Sequence, residues 1–209
     1  MHSDAQWEAW ADALADQEFV IIDDYLSPAL LHVLLNFFQQ KEDALTPAKI
    51  GAHQSRQKVE EIRSDLTYWL DKERDTHLAP VFHWIEESLS RWNRLLFLSL
   101  GGYEFHLAFY PTRGHYAKHL DQFKGRNNRL ISCVLYLNPD WKPGDGGELQ
   151  LYDPKGHAEA ERIEPVMNRM VFFRSDTVWH AVLPAKAPRR SLTGWLLYRP
   201  SDVGSILGA

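Results

Sequence analysis

The chain changes texture near its middle. Up to about residue 100, apolar positions recur mostly at the three- and four-residue spacing of helices. Trp7, Trp10 and Leu14 share one helical face, and Ser3 followed by Gln6 has the capping-box spacing that opens such a helix. Ser27 and Pro28 supply an N-cap and a proline at the first helical position, so a second helix is expected through about residue 40. Val81, Phe82, Ile85, Leu89, Trp92 and Leu96 mark a third over about residues 76–98, ended by Gly101-Gly102. Between the first two helices the β-branched run at residues 19–22 reads as a strand. Residues 46–63 are polar and lack clear periodicity. That is long for an unstructured connection, so the stretch reads as a mobile functional loop or as weak strands.

Beyond Gly102 the period shortens. Residues 103–110 alternate and stop at Pro111, and 129–138 form a β-rich run followed by the turn-forming residues 139–147. Segments 148–152, 169–174, 179–183 and 191–198 complete a series of short strands divided by Gly and Pro. The expected fold is α+β: a double-stranded β-helix (jelly roll) core supported by N-terminal helices. No internal repeat or linker divides the chain. Residues 1–209 therefore read as a single domain, with 1–101 mainly helical support carrying a loop at about 46–65, and 102–200 the core.

Composition narrows the function classes. The 209 residues carry a net charge of −5, with 44% hydrophobic and 24% charged residues, as in a globular protein rather than a disordered one. The acidic balance argues against sequence-independent nucleic-acid binding, which needs a basic face. Apolar runs such as residues 95–98 are far short of a membrane span, and no signal segment is visible at Met1-His2-Ser3-Asp4. The expected location is cytoplasmic, without membrane or nucleic-acid partners. Ten histidines and one cysteine exclude a disulfide framework and a thiolate zinc cluster, so any bound metal must be held by imidazole and carboxylate.

His119-Leu120-Asp121 is the informative tripeptide. Residues two apart on a strand point to the same side, so both side chains could reach one metal. A third ligand from a distant strand, His180 in its apolar setting, would complete two imidazoles and one carboxylate. That is the facial triad of non-haem Fe(II) oxygenases, which leaves positions open for cosubstrate and oxygen. Arg189 lies nine residues beyond His180, at the start of the last apolar strand. An arginine inside a jelly roll needs an anionic partner, and a guanidinium suits the far carboxylate of a dicarboxylate. Arg190 competes for the same role, because neighbours on a strand face opposite sides, and spacing alone does not choose between them. His115 and His119 have the spacing of a helical zinc site, but Tyr116 stands where a zinc hydrolase would need its glutamate. Cys133 lies in an apolar strand and reads as inert core. Trp195, Trp141 and Trp179 are candidates for lining a pocket, and His106 is ambiguous.

These residues sit within longer motifs: Tyr110-Pro111, then Tyr116-Ala117-Lys118-His119-Leu120-Asp121, the run from Arg129 to Asn138, and Trp141. Gly146-Gly147-Glu148-Leu149, His180-Ala181-Val182-Leu183-Pro184 and Arg189-Arg190-Ser191-Leu192-Thr193-Gly194-Trp195 follow in order. Together they resemble the prolyl-hydroxylase branch of the Fe(II)- and 2-oxoglutarate-dependent dioxygenases, particularly the egl-nine enzymes and the bacterial relatives that hydroxylate elongation factor Tu. A weaker echo lies at Ile62-Arg63-Ser64-Asp65.

The resemblance implies His119, Asp121 and His180 as iron ligands. It implies Arg189, with Tyr136 and Tyr110, as the grip on 2-oxoglutarate. Arg129, Trp195, Arg63 and Asp65 become substrate-side residues, with Trp195 also bordering the cosubstrate. Residues 46–63 fall where the family carries a mobile substrate-covering segment, which makes them a lid over a peptide. Fe(II), 2-oxoglutarate and O2 are the implied cofactor and cosubstrates, ascorbate is a candidate reductant, and the implied partner is a proline-containing protein or peptide such as elongation factor Tu. The chain departs from the pattern twice. Ala181 replaces an acidic residue often found after the second histidine, and the stretch from Tyr110 to His119 is one residue shorter than in the animal enzymes. Two alternatives stand beside this reading: the same chemistry on a free amino acid or other small molecule, and a non-catalytic jelly-roll binding module.

Overall fold

A computed structural model describes residues 2–48, 61–122 and 128–198. Among the described residues, three long α-helices precede the main strands: α1 (Asp4–Gln17), α2 (Pro28–Lys41) and α3 (Ala79–Leu96). The first is closed by the expected capping box between Ser3 and Gln6, and the second by the Ser27 side chain with Pro28 in the first turn. No helix among the described residues is long and apolar enough to cross a membrane.

The strands form two antiparallel sheets. One has seven strands in the order β1-β9-β6-β11-β4-β3-β2, and the other four in the order β5-β10-β7-β8. Their ranges are β1 (Phe19–Ile22), β2 (Thr46–Pro47), β3 (Leu66–Trp69), β4 (Leu100–Tyr110), β5 (Tyr116–His119), β6 (Arg129–Tyr136), β7 (Leu149–Tyr152), β8 (Glu159–Ile163), β9 (Met170–Arg174), β10 (His180–Val182) and β11 (Arg189–Tyr198). From β4 to β11 the chain passes between the sheets, and β4-β11-β6-β9 faces β5-β10-β7-β8. This is the jelly roll, with the helices outside its larger sheet.

Alternation along the strands divides the interior in two. Ile131, Cys133 and Leu135 of β6, with Met170 and Phe172 of β9, join the helix residues Leu34, Phe82, Ile85 and Trp92 in one apolar cluster. Val134, Tyr136, Val171 and Phe173 point the other way, toward Leu149, Leu151 and Ile163 of the smaller sheet. Cys133 is buried in the first cluster, and burial pushes its thiol well above the usual range, as an inert core residue requires. Gly194 shows why β11 can lie so close to its neighbour: an added Cβ would collide with the Glu104 carbonyl and the Phe105 ring.

The structure differs from the sequence expectation in several places. α3 stops at Phe97, which adopts the left-handed conformation, and Gly101-Gly102 already belong to β4. The Asn93 side chain bonds both the N–H and the carbonyl of Leu100, so the apolar run splits between helix and strand. The first hundred residues also contribute one strand that was not expected: β3 joins the expected β1, and β2 at the start of the polar stretch, in extending the larger sheet. β3 is only four residues long, too short to show a convincing period beside the polar stretch before it. Finally, β5 ends at His119, so Asp121 sits just past the strand rather than within it. Of the stretch at 46–65, residues 49–60, which carry most of the proposed lid, lie outside the described residues.

Candidate active site

The inner face of the larger sheet can be read as a ladder. Register pairs Arg189 with Tyr110, Ser191 with Ala108, Thr193 with His106, and Trp195 with Glu104. On the other side of β11, Ser191 pairs with Tyr136 and Trp195 with Ser132. One end of this face therefore carries Arg189, Tyr110 and Tyr136, and the other carries Trp195, Glu104 and Ser132.

The smaller sheet brings the histidines together. β10 pairs with β5 so that His180 lies opposite His119. Asp121 turns in behind them: its two carboxylate oxygens lie 3.4 Å from His119 Nε2 and 3.5 Å from His180 Nε2. One donor atom from each of the three falls within 4.8 Å of the others. Each imidazole is oriented by its own backbone. His119 Nδ1 lies 2.8 Å from the Ala117 carbonyl and His180 Nδ1 3.0 Å from that of Val178. A carbonyl only accepts, so each Nδ1 carries the proton and each Nε2 keeps its lone pair for a metal.

The surroundings set the charge states. Burial disfavours a charged Asp121, but His180, His119 and the Ser132 hydrogen bond outweigh it and hold the carboxyl far below the usual carboxylate range. Burial drives His180 down to about 4, so it is neutral, as a ligand must be. Ser132 Oγ donates to Asp121 Oδ2 at 2.6 Å and shares a 2.8 Å hydrogen bond with Ser175. Tyr116 stacks on His119 with ring centroids 3.7 Å apart, and Phe173 meets His180 edge-on at 4.7 Å. Replacing Ser132 with alanine is expected to weaken Fe(II) binding roughly 10- to 100-fold, the usual cost of losing a group that orients a ligand, with the fold intact. Metal titration followed by calorimetry checks this.

Arg189 is 1% exposed, yet no carboxylate among the described residues pairs with it. Its Nε donates to the Gly147 carbonyl at 2.9 Å and its Nη1 to Ser191 Oγ at 3.1 Å. The guanidinium lies over the rings of Tyr110 and Tyr136, at 4.7 and 5.0 Å from their centroids. Tyr136 Oη is buried beside it without a hydrogen bond of ordinary geometry. A buried cation and an orphaned hydroxyl side by side are a cradle for an anion. Of the two arginines that spacing could not separate, Arg189 is the one that faces inward. Arg190 faces outward and pairs with Glu42 at 2.8 Å.

Near the Trp195 end, the Arg129 guanidinium lies 3.5 Å from the Trp195 ring centroid and pairs with Glu104 at 3.0 Å. Its Nη1 reaches the Asp121 carbonyl at 3.4 Å. Trp195 stacks on His106, whose imidazole is pushed down to about 3, first by burial and then by the Arg63 cation. His106 thus lies on the inner face, and its Nδ1 is buried without a partner among the described residues. Arg63 grips Asp65 through two bonds of 2.7 and 2.6 Å and lies over the Tyr116 ring.

All ten sequence-predicted site residues therefore gather along one inner face and its rim. The two further tryptophans do not join them. Trp141 Nε1 holds the Gly146 carbonyl at 2.9 Å, and Trp179 packs over Gly156, so both serve turns. Ser132, Tyr116, Glu104 and Gly147 emerge as partners of the site that motif reading gave no role.

A facial set of two neutral imidazoles and a carboxylate suits Fe(II), and the Arg189–Tyr136 cradle suits one end of a dicarboxylate. That pairing inside a jelly roll defines a metal-dependent oxygenase site. Comparison with known proteins agrees. The 2OG-Fe(II) oxygenase superfamily matches residues 105–197. The solved structure of a Pseudomonas putida prolyl-4-hydroxylase is 34% identical, with a TM-score of 0.81, and the match covers 92% of this chain and 99% of that one. Egl nine homolog 1 of Rattus norvegicus is 40% identical over 92 residues, 43% of this chain and 27% of its own. The hypoxia-inducible factor prolyl hydroxylase of Caenorhabditis elegans is 30% identical over 154 residues, 69% of this chain and 21% of its own. The matched stretches thus span about a quarter of these two curated relatives. The chain belongs to the 2OG-Fe(II) oxygenase superfamily, as a prolyl-hydroxylase-like member.

Proposed function

We propose that this chain hydroxylates a prolyl residue in a protein or peptide, with 2-oxoglutarate and O2 as cosubstrates. His119, Asp121 and His180 hold Fe(II) in this reading. Arg189 and Tyr136 hold the distal carboxylate of 2-oxoglutarate, with Tyr110 beneath the guanidinium. The bound iron and 2-oxoglutarate supply the oxidising chemistry, which releases succinate and carbon dioxide and hydroxylates a C–H bond. The chain itself supplies orientation. Ser132 fixes the Asp121 carboxylate, the Ala117 and Val178 carbonyls fix the tautomers of the histidines, and Arg129 and Trp195 border the approach to Asp121. Arg63, braced by Asp65, covers Tyr116 and through it His119.

The observation that carries this reading is the buried Arg189, which has no carboxylate among the described residues and lies beside the orphaned Tyr136 hydroxyl, on the face that ends at the His–Asp–His set. The prolyl substrate is supported by the Pseudomonas putida prolyl-4-hydroxylase, which matches over 92% of this chain. Elongation factor Tu is the first candidate substrate, ascorbate the candidate reductant, and a reducing cytoplasm the setting, in keeping with a single buried cysteine. Incubation with Fe(II), ascorbate, 2-oxoglutarate and elongation factor Tu peptides should add one oxygen to a proline, read by mass spectrometry. Oxygen added instead to a free amino acid, with prolyl peptides untouched, would overturn the substrate assignment and keep the chemistry.

A further inference from the structure

β3 leaves β4 early. Its last register pair is Trp69 opposite His106, and one further bond, from the Leu70 N–H to the Phe105 carbonyl, closes the pairing. The chain then turns away through residues 71–75. This turn is held firmly: Asp71 accepts from the N–H groups of Glu73 and Arg74, and the Asp75 carboxylate receives the Tyr68 hydroxyl, the Asp71 N–H and the Arg74 guanidinium. β4 runs on in the other direction as far back as Leu100. Over that stretch β11 covers one edge, and no described strand covers the other. The Phe105 carbonyl points to the β3 side, so by alternation the N–H and C=O of Tyr103 point to the same uncovered side. The Asn93 side chain closes the edge at Leu100, which leaves a window of a few residues.

That window opens into a cleft of about 550 Å³, lined by Trp69, Lys72, Phe82, Tyr103, Glu104 and Phe105. Its rim is continuous with the approach to the triad. Glu104 lines the cleft and pairs with Arg129, which lies over Trp195. Trp69 meets His106 at a tilt, with ring centroids 4.7 Å apart, and stacks on Trp195 at 6.1 Å. It is nevertheless 47% exposed, an unusual position for so large an aromatic side chain.

We propose that this cleft is a docking groove for the segment of the substrate protein that flanks the target proline. This rests on the peptide reading above. The flanking segment lies extended beside β4, pairs with the main chain of Tyr103, and rests an apolar side chain on Trp69. Strand addition takes its affinity from main-chain bonds and its selectivity from alternate side-chain pockets, which suits a protein loop and not a free amino acid. Tyr103 is one residue from Glu104, the register partner of Trp195, so a chain leaving the mouth reaches the window within two or three residues at about 3.3 Å each.

The test uses the iron-loaded enzyme and a library of long peptides with one central proline and randomised flanks, followed by mass spectrometry. The best peptide is then shortened on each side in turn. Loss of one flank, but not the other, should raise KM roughly tenfold or more, a size typical of removing an anchoring contact. Trp69→Ala should raise KM for the full peptide to a similar degree, with kcat and peptide-free 2-oxoglutarate turnover unchanged. In the unaltered enzyme, hydrogen exchange at the Tyr103 amide should slow when the full peptide binds, a readout that does not depend on how the variant folds. Equal KM for full and shortened peptides, with unchanged Tyr103 exchange, overturns the groove and leaves prolyl hydroxylation standing. An enzyme that consumes 2-oxoglutarate but hydroxylates no peptide overturns the peptide reading itself.

Discussion

Replacing Asp121 with alanine is expected to reduce both Fe(II) binding and 2-oxoglutarate turnover to background, while the protein stays folded. The carboxylate faces both histidine Nε2 atoms and is held by Ser132, so no other described group stands ready to take its place. Its removal leaves two neutral imidazoles, a set that binds a hard divalent cation poorly. The folded state should tolerate the change, because it removes a desolvated charge and leaves Ser132 its bond to Ser175. Circular dichroism and metal titration separate the two effects. Turnover that survived in the Asp121→Ala protein would remove the triad from the account.

Arg189→Gln is expected to cost 2-oxoglutarate about 2–5 kcal/mol of binding, a rise in KM of roughly 30- to several-thousand-fold, the range for truncating one partner of a buried charged pair. Glutamine keeps polar contacts to Gly147 and Ser191 within reach but cannot offer a charged fork. Arg190→Ala is the matched control. Its partner Glu42 is partly exposed, so the change should cost less than about 1 kcal/mol of stability and leave 2-oxoglutarate KM unaltered. Steady-state kinetics over a range of 2-oxoglutarate concentrations distinguishes the pair. A variant that lost kcat at unchanged KM would place Arg189 elsewhere in the mechanism.

Much of this site was legible in the sequence because its chemistry is carried by residue types that a core does not otherwise accept. His180 and Arg189 lie in apolar strands, where such residues have few bland explanations, and their order after His119 and Asp121 matched a known pattern. The choice between Arg189 and Arg190 was not legible from spacing, since alternation says only that the two face opposite ways. Register with Tyr110 and the outward ion pair to Glu42 decide it. Ser132 escaped notice for a related reason. In a run as apolar as Arg129 to Tyr136, a serine reads as a minor irregularity until the fold shows it on the inner face beneath Asp121.

The fold was legible where a single periodicity ran long enough. The capping box at Ser3 and the N-cap at Ser27 placed α1 and α2 closely. α3 overran in expectation because Leu95 to Leu98 continues the apolar texture, whereas the left-handed turn at Phe97 and the Asn93 bonds to Leu100 are backbone events without a composition signal. β3 and β8 were missed because one is four residues long and the other is almost wholly exposed. Both owe their strand form to their neighbours rather than to local preference.

The central claim is that one inner face couples oxidation of 2-oxoglutarate to hydroxylation of a peptide. The most direct measurement is to quantify succinate and hydroxyproline in the same reaction, with Fe(II), 2-oxoglutarate, O2 and a proline-containing peptide. The account predicts that the two products rise together in equal amounts and that neither forms without Fe(II). Failure to form succinate in the complete mixture, with the iron site demonstrably filled, would contradict it.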